Sequence, residues 1–226
     1  MAKADNQEQF EFRRSQILAT ALHIITERGY SETRIADIAK RCEISNGLVM
    51  YYFPTKVDLL VGAIRYAEDC WYEELQAAVL GTTSATELLE RTVAIFLIGG
   101  PTEMLRLPWS LWLDLWSQST RNEEIADVHR QSDDRWRATL SSIIEAGVAS
   151  HEFLLLGSMD NTVIALTAMF DGLAVNIACH DGTVTEEVAF NIAMRFTSLA
   201  LGFVWHNNEM TANKLLGYFA PENSIV

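Results

Sequence analysis

Within seven consecutive positions, 45 to 51, this chain holds a hydroxyl, an amide, a glycine, a thioether and a phenol: Ser45, Asn46, Gly47, Met50 and Tyr51. An asparagine amide can pair with a base edge, and a glycine lets a helix approach a groove of DNA closely. In a helix that buries Leu48, Val49 and Tyr52, the other residues of this run face outward, and the Tyr51 hydroxyl can reach a phosphate. Thr33, Arg34 and Lys56 flank the run and suit phosphate oxygens, Thr33 from the N-terminus of the helix that it would cap. Positioning these groups takes two short helices and a tight turn. Thr33 and Ser45 are good N-caps, and Ile35, Ile38 and Ala39 recur at helical spacing between them. Two helices of this size joined by about four residues make a helix-turn-helix, whose second helix enters the major groove. The bland alternative is a scaffold in which Asn46 and Lys56 are merely solvated.

This stretch resembles the DNA-binding core of the TetR (tetracycline-repressor) family. Thr33, Ile38 and Ala39 match its first helix, and Ser45 and Gly47 its second. Tyr52 and Phe53, then Lys56, Leu59 and Leu60, follow in the family's order. The resemblance spans residues 10–65 and includes a preceding helix at 9–28. It departs in the turn, where Cys42-Glu43-Ile44 replaces the usual glycine, so Glu43 must adopt a conformation easiest for glycine or the turn must differ. Met50 stands where a tyrosine is common, and Leu48 where a polar residue often is. The resemblance implies a double-stranded, (pseudo)palindromic DNA operator, a homodimer formed by the last two long helices, and a small-molecule effector bound in the middle of the chain. The run Ser45-Asn46-Gly47-Leu48-Val49 before Tyr52-Phe53 is also similar to that of choline-sensing BetI-type members.

Trp109, Trp112 and Trp116 are spaced by three and four residues, which places them on one helical face, and Trp136 follows on a later helix. Such a stripe serves either as core or as the wall of an apolar pocket, with Phe170 added from a further helix. By resemblance the pocket would hold the effector. A largely apolar molecule is the first expectation. A quaternary ammonium caged by rings, with Asp114 as counter-charge, is the alternative.

Bulk properties narrow the classes. The 226 residues carry a net charge of −13, which by itself opposes DNA binding. The excess is uneven: residues 1–66 hold nine basic and eight acidic side chains, the remainder eight and twenty-two. Arg13, Arg14, Arg34, Lys40, Arg41 and Lys56 can therefore still line a basic face, which suits a specific regulator better than a general nucleic-acid coat. Cys42, Cys70 and Cys179 lack metal-ligand spacing and read as small buried residues of a reducing cytoplasm. No signal-peptide pattern and no membrane span is expected. Histidines are scattered, and no hydrolase, metalloprotease or phosphate-loop motif occurs, so neither catalytic residue, metal nor cofactor is expected.

The remaining chain reads as all-α. Residues 9–28 place Phe12, Ile17, Leu18, Ala21, Leu22 and Ile25 on one apolar side. Capping boxes start helices at Thr55 with Asp58 and at Ser84 with Glu87. Gly99-Gly100-Pro101 breaks the chain, Pro108 restarts it, and Thr120 with Glu123 opens a long helix. Two apolar helices, 160–179 and 185–205, close the body. Their apolar arcs, including Leu166, Phe170, Leu173, Ile177, Ile192, Phe196, Leu199 and Phe203, need cover from the body or a second copy. The expectation is an all-α protein with a helix-turn-helix head at 1–54 and an effector-binding, dimerising body at 55–226. The helix 55–80 joins them and would transmit ligand binding to the head. Its function would be a DNA-binding transcriptional repressor released by its ligand. The rival is a helical binding protein or enzyme that uses the tryptophan pocket without a DNA role.

Overall fold

A computed structural model describes residues 2–206 as nine α-helices and one 3-10 turn, with no strand among the described residues. The chain forms two compact units. Among the described residues, one takes 2–71 together with Ser110–Arg130, the other Tyr72–Trp109 with 131–206.

In the first unit, α1 (Ala2–Arg28) is longer than its expected 9–28 and stops at Gly29, whose φ of +82° an L side chain would resist. Ile17, Leu18, Ala21, Leu22, Ile24 and Ile25 form its buried stripe. Phe12 does not join them. It lies on the opposite side of the helix and is exposed, while Phe10, seven residues before Ile17, falls in line with the stripe.

Helices α2 (Ile35–Arg41) and α3 (Asn46–Tyr52) form the expected short pair. Glu43 sits at φ +55°, the glycine-like conformation, which was the first of the two outcomes that the sequence left open. Such a residue costs roughly 1–2 kcal/mol relative to a right-handed one. Ile44 N donating to Ala39 O at 2.9 Å closes the turn. Ser45 caps α3 through the amide of Leu48.

Thr33 does not cap α2. Arg34 occupies that position in extended conformation without a side-chain cap, and the buried Thr33 hydroxyl donates to the carbonyl of Gly29 at 2.8 Å. The residue is drawn inward because the carbonyls at the end of α1 need donors. Helix α4 (Lys56–Ala78) opens on the expected capping box: Thr55 N donates to Asp58 Oδ2 at 2.8 Å and Asp58 N to Thr55 Oγ1 at 3.0 Å.

Residues 110–130 add α6 (Ser110–Ser119) and the start of α7 (Glu123–Ala149). Asn122, not Thr120, caps α7. Its Oδ1 accepts from the amides of Glu124 and Ile125, while the Thr120 hydroxyl donates back to Ser117.

The second unit is built on α5 (Ala85–Ile98), the 3-10 turn Met104–Arg106, α8 (Met159–Ala178), α9 (Glu186–Ala200) and the rest of α7. Leu89, Val93, Leu166, Phe170, Ala174, Phe190 and Met194 fill its interior. Helix α9 ends five residues earlier than its expected 185–205. Gly202 turns the chain at φ +63°, and the Trp205 indole donates to Glu90 Oε1 at 3.4 Å.

Glu152, in the α7–α8 loop, supplies a second cap to α5. Its carboxylate accepts from Ser84 Oγ at 2.6 Å, Ala85 N at 2.9 Å and Thr86 N at 3.0 Å. The Ser84 hydroxyl and these two amides hold its carboxyl down at about 2. A depressed carboxyl stabilises the fold above its ordinary pKa and ceases to do so as pH falls toward 2. Because the group is reached by water, Glu152→Gln is expected to cost about 1–2 kcal/mol at pH 7. Urea unfolding at pH 7 and pH 3 should show the difference between the two proteins shrinking at the lower pH.

Candidate nucleic-acid interface and aromatic cluster

The outer face of α3 centres on Gly47 and Tyr51, one turn apart, with Asn46 and Met50 to one side and Leu48 to the other. Val49 is fully buried and Tyr52 half-buried against the unit, so these two hold the helix in place. Leu48, expected on the buried side, is instead 36% exposed, alongside Met50 at 50% and Tyr51 at 71%. Ser45, Asn46 and Gly47 are exposed as expected.

Phe10 braces this helix from α1. Its ring lies 4.6 Å from that of Tyr52 and meets Tyr51 edge-on at 6.4 Å. Sequence reasoning missed Phe10. Its position one heptad before Ile17 was the available signal.

The flanking candidates separate. Arg34, at the N-cap of α2, and Lys40 within it are exposed, and Arg41 pairs with Glu27 at 3.2 Å. Lys56 turns inward: its ammonium donates to the Ser31 carbonyl at 3.0 Å and lies 4.5 Å above the Tyr30 ring. Partial desolvation lowers its pKa, with Glu32 opposing. Lys56 and the buried Thr33 therefore brace the corner between α1 and α2, where they were expected to meet phosphates. A third group joins them. Asp114, on α6, accepts from the amide of Tyr30 at 2.8 Å. It is engaged there and not among the tryptophans, as its expected role required.

The aromatic residues also divide. In the second unit Phe96 is the hub: Trp136 stacks on it at 4.5 Å and 3°, Trp109 meets it edge-on at 5.3 Å, and Phe170 stands 6.3 Å away. Trp112 and Trp116 belong to the first unit, where Trp116 lies 6.0 Å from His129. In the sequence Phe96 is one apolar residue of α5 among several. Nothing in its spacing marks it as the residue on which three others converge.

Asp171 follows Phe170 on α8. Burial, reinforced by Asp133 and only partly offset by Arg137, pushes its carboxyl up to about 6. Such a group destabilises the fold once pH rises past its ordinary value, and fully above 6. Asp171→Asn should therefore raise the melting temperature at pH 7.5, by a margin that shrinks as pH falls from 6 to 4. A thermal-melt series across that range checks it.

Two sequence profiles match the chain. That of the bacterial regulatory proteins of the tetR family covers residues 17–63, and that of the BetI-type transcriptional repressor C-terminal region covers 75–202, more than half of the chain. This chain belongs to the TetR family, in its BetI-type branch. The regulator is 26% identical over 192 residues to the HTH-type transcriptional regulator BetI of Burkholderia cenocepacia, covering 84% of this chain and 95% of the relative. Its fold matches that of a transcriptional regulator from Saccharomonospora viridis in complex with choline, with a TM-score of 0.75 and 29% identity over 84% of this chain and 98% of the other. A TetR-family regulator from Rhodococcus sp. shares the fold at a TM-score of 0.72 and 21% identity, over 84% and 98% of the two chains.

In this TetR-family chain the last two helices expose part of their apolar surface. Ile164 is 51% exposed on α8, and Phe196 and Leu199 are 56% and 70% exposed on α9. Leu173, Ile177, Ile192 and Phe203 are half-buried. Leu166 and Phe170, expected at an interface, are instead inside the unit, because they face α5 and α9 rather than outward. As a single helix among the described residues, only α8 is long and apolar enough by length and composition to cross a membrane, and Val163, Leu166, Phe170 and Ala174 are its buried apolar residues.

Proposed function

We propose that this regulator is a dimeric repressor that seats α3 in successive major grooves of a pseudopalindromic operator and is released by a quaternary ammonium such as choline. In this reading residues 1–54 form the DNA-binding head and 55–226 the effector-binding, dimerising body of a cytoplasmic protein. Gly47 carries the DNA half of the reading. Its φ is not positive, and an added Cβ would meet nothing closer than Ser45 Oγ at 3.9 Å. The fold does not require glycine there, so what requires it approaches from outside. Ile164, Phe196 and Leu199 supply the surface for a second copy, and a two-fold dimer spaces its heads by about 34 Å, one turn of DNA.

The cluster around Phe96 supports the effector. Three aromatic side chains converge there, and aromatic ring faces not already stacked on one another attract a quaternary ammonium, whose charged group has no N–H to donate. Choline is the alternative weighed against a largely apolar molecule, and its methyl groups are the part of it that presents apolar surface to the rings. Asp171, the next residue after Phe170, is a carboxylate that the fold keeps at a cost, and in this reading it supplies the counter-charge. Anisotropy titration against DNA upstream of the gene, at fixed salt, tests the reading. Binding should be saturable, abolished by Asn46→Ala with Tyr51→Ala, and weakened about 5- to 150-fold by saturating choline. A folded protein that binds none of this DNA would refute it.

A further inference from the structure

The outer face of α3 lacks the groups that read guanine and cytosine. The whole helix, Asn46–Tyr52, holds no charged side chain, and Val49 and Tyr52 face inward. Guanine is read chiefly by bidentate arginine or lysine on O6 and N7, and cytosine by a carboxylate on its N4 amine. What α3 offers outward is one amide, one phenol and two aliphatic chains. Tyr51 is held at its flank by the Phe10 and Tyr52 rings, which leaves Leu48 and Met50 on either side of Gly47. Both are substantially exposed, on a helix whose inner face had packing room only for Val49 and part of Tyr52. Across the major groove only thymine presents an apolar group, its 5-methyl, and only adenine presents the acceptor–donor pair that an asparagine amide matches.

We infer that α3 reads A·T pairs, Asn46 pairing with an adenine edge while Leu48 and Met50 cover thymine 5-methyl groups. The inference rests on α3 entering the major groove, and adds the chemistry by which it chooses a sequence. At the positions under α3 each half-site consists of A·T pairs, and the protein distinguishes thymine from uracil as well as from cytosine.

The test uses the full-length protein at fixed salt and a randomised pool of DNA duplexes. Selected half-sites should carry A·T pairs at two or more adjacent positions. Exchanging each thymine there for deoxyuridine removes one methyl and should weaken binding about fourfold per buried methyl. Met50→Ala and Leu48→Ala should each make one of those exchanges silent, and both are surface changes whose folding a melt confirms. Half-sites with G·C pairs under α3, or duplexes bound equally well with thymine and deoxyuridine, would overturn the methyl readout while leaving DNA binding intact. Failure to retain any duplex would overturn DNA binding itself, and the readout with it.

Discussion

Gly47→Ala is expected to make the protein more stable and a worse DNA binder in the same step. Glycine in a helix costs about 0.5–1 kcal/mol relative to alanine, because its unfolded chain has more freedom to lose. At Gly47 nothing in the fold repays that cost, since the added methyl would meet only Ser45 Oγ at an ordinary 3.9 Å. The melting temperature should therefore rise by about 1–4 °C. On the outside the same methyl stands at the centre of the face formed by Asn46, Leu48, Met50 and Tyr51, and holds α3 away from any surface that fits against it. Operator affinity should fall about tenfold or more, the scale of a lost base contact.

Gly62→Ala is the control with the opposite pattern. There a Cβ would come within 2.9 Å of Leu18 and 3.0 Å of Phe53, so overpacking should lower stability by about 1–3 kcal/mol. Paired melts and anisotropy titrations distinguish the two positions. An unchanged dissociation constant for Gly47→Ala would place the DNA contact elsewhere on the protein.

How much of this was legible in the sequence depended on how local each interaction is. Ser45 capping Leu48, and Thr55 exchanging hydrogen bonds with Asp58, are contacts between residues three apart, and spacing alone predicted them. The left-handed Glu43 was half legible: Cys42-Glu43-Ile44 stands where the resembled family has a glycine, which left open a glycine-like Glu43 or a different turn, and the chain takes the first. Long-range partners broke the pattern. Thr33 looked like a cap, but the open carbonyl of Gly29 claimed its hydroxyl. Asp114 looked like a counter-charge among tryptophans, but the amide of Tyr30, 84 residues away in sequence, claimed its carboxylate. Leu48 is apolar and was counted as core, although a seven-residue helix packed on one side has room for few such residues. The tryptophan spacing was real, yet it could not reveal that Trp109 turns to Phe96 while Trp112 and Trp116 belong to the other unit.

The position taken by Asp114 leads to the largest functional effect expected outside α3. Three side chains hold the corner that leads from α1 into α2: Thr33 on the Gly29 carbonyl, Lys56 on the Ser31 carbonyl and Asp114 on the Tyr30 amide. Only Asp114 reaches it from α6, the helix that begins immediately after Trp109. If the effector proposed above acts on the helix-turn-helix through α6, the Asp114 carboxylate is the point where α6 meets the segment that enters it. Asp114→Ala leaves the Tyr30 amide without its charged acceptor, a loss of about 1–3 kcal/mol. If choline is the effector, as proposed, it should still bind the variant. Its effect on operator affinity should fall from the 5- to 150-fold range toward unity, because coupling needs a link that differs between the two states. Asp114→Asn retains an acceptor oxygen and should restore most of the response. Hydrogen exchange at the Tyr30 amide gives an independent reading, fast in the alanine variant and slow in the asparagine one. A variant with a rapidly exchanging Tyr30 amide and a full choline response would show that the signal reaches the head by α4 instead, through the helix that starts at Lys56.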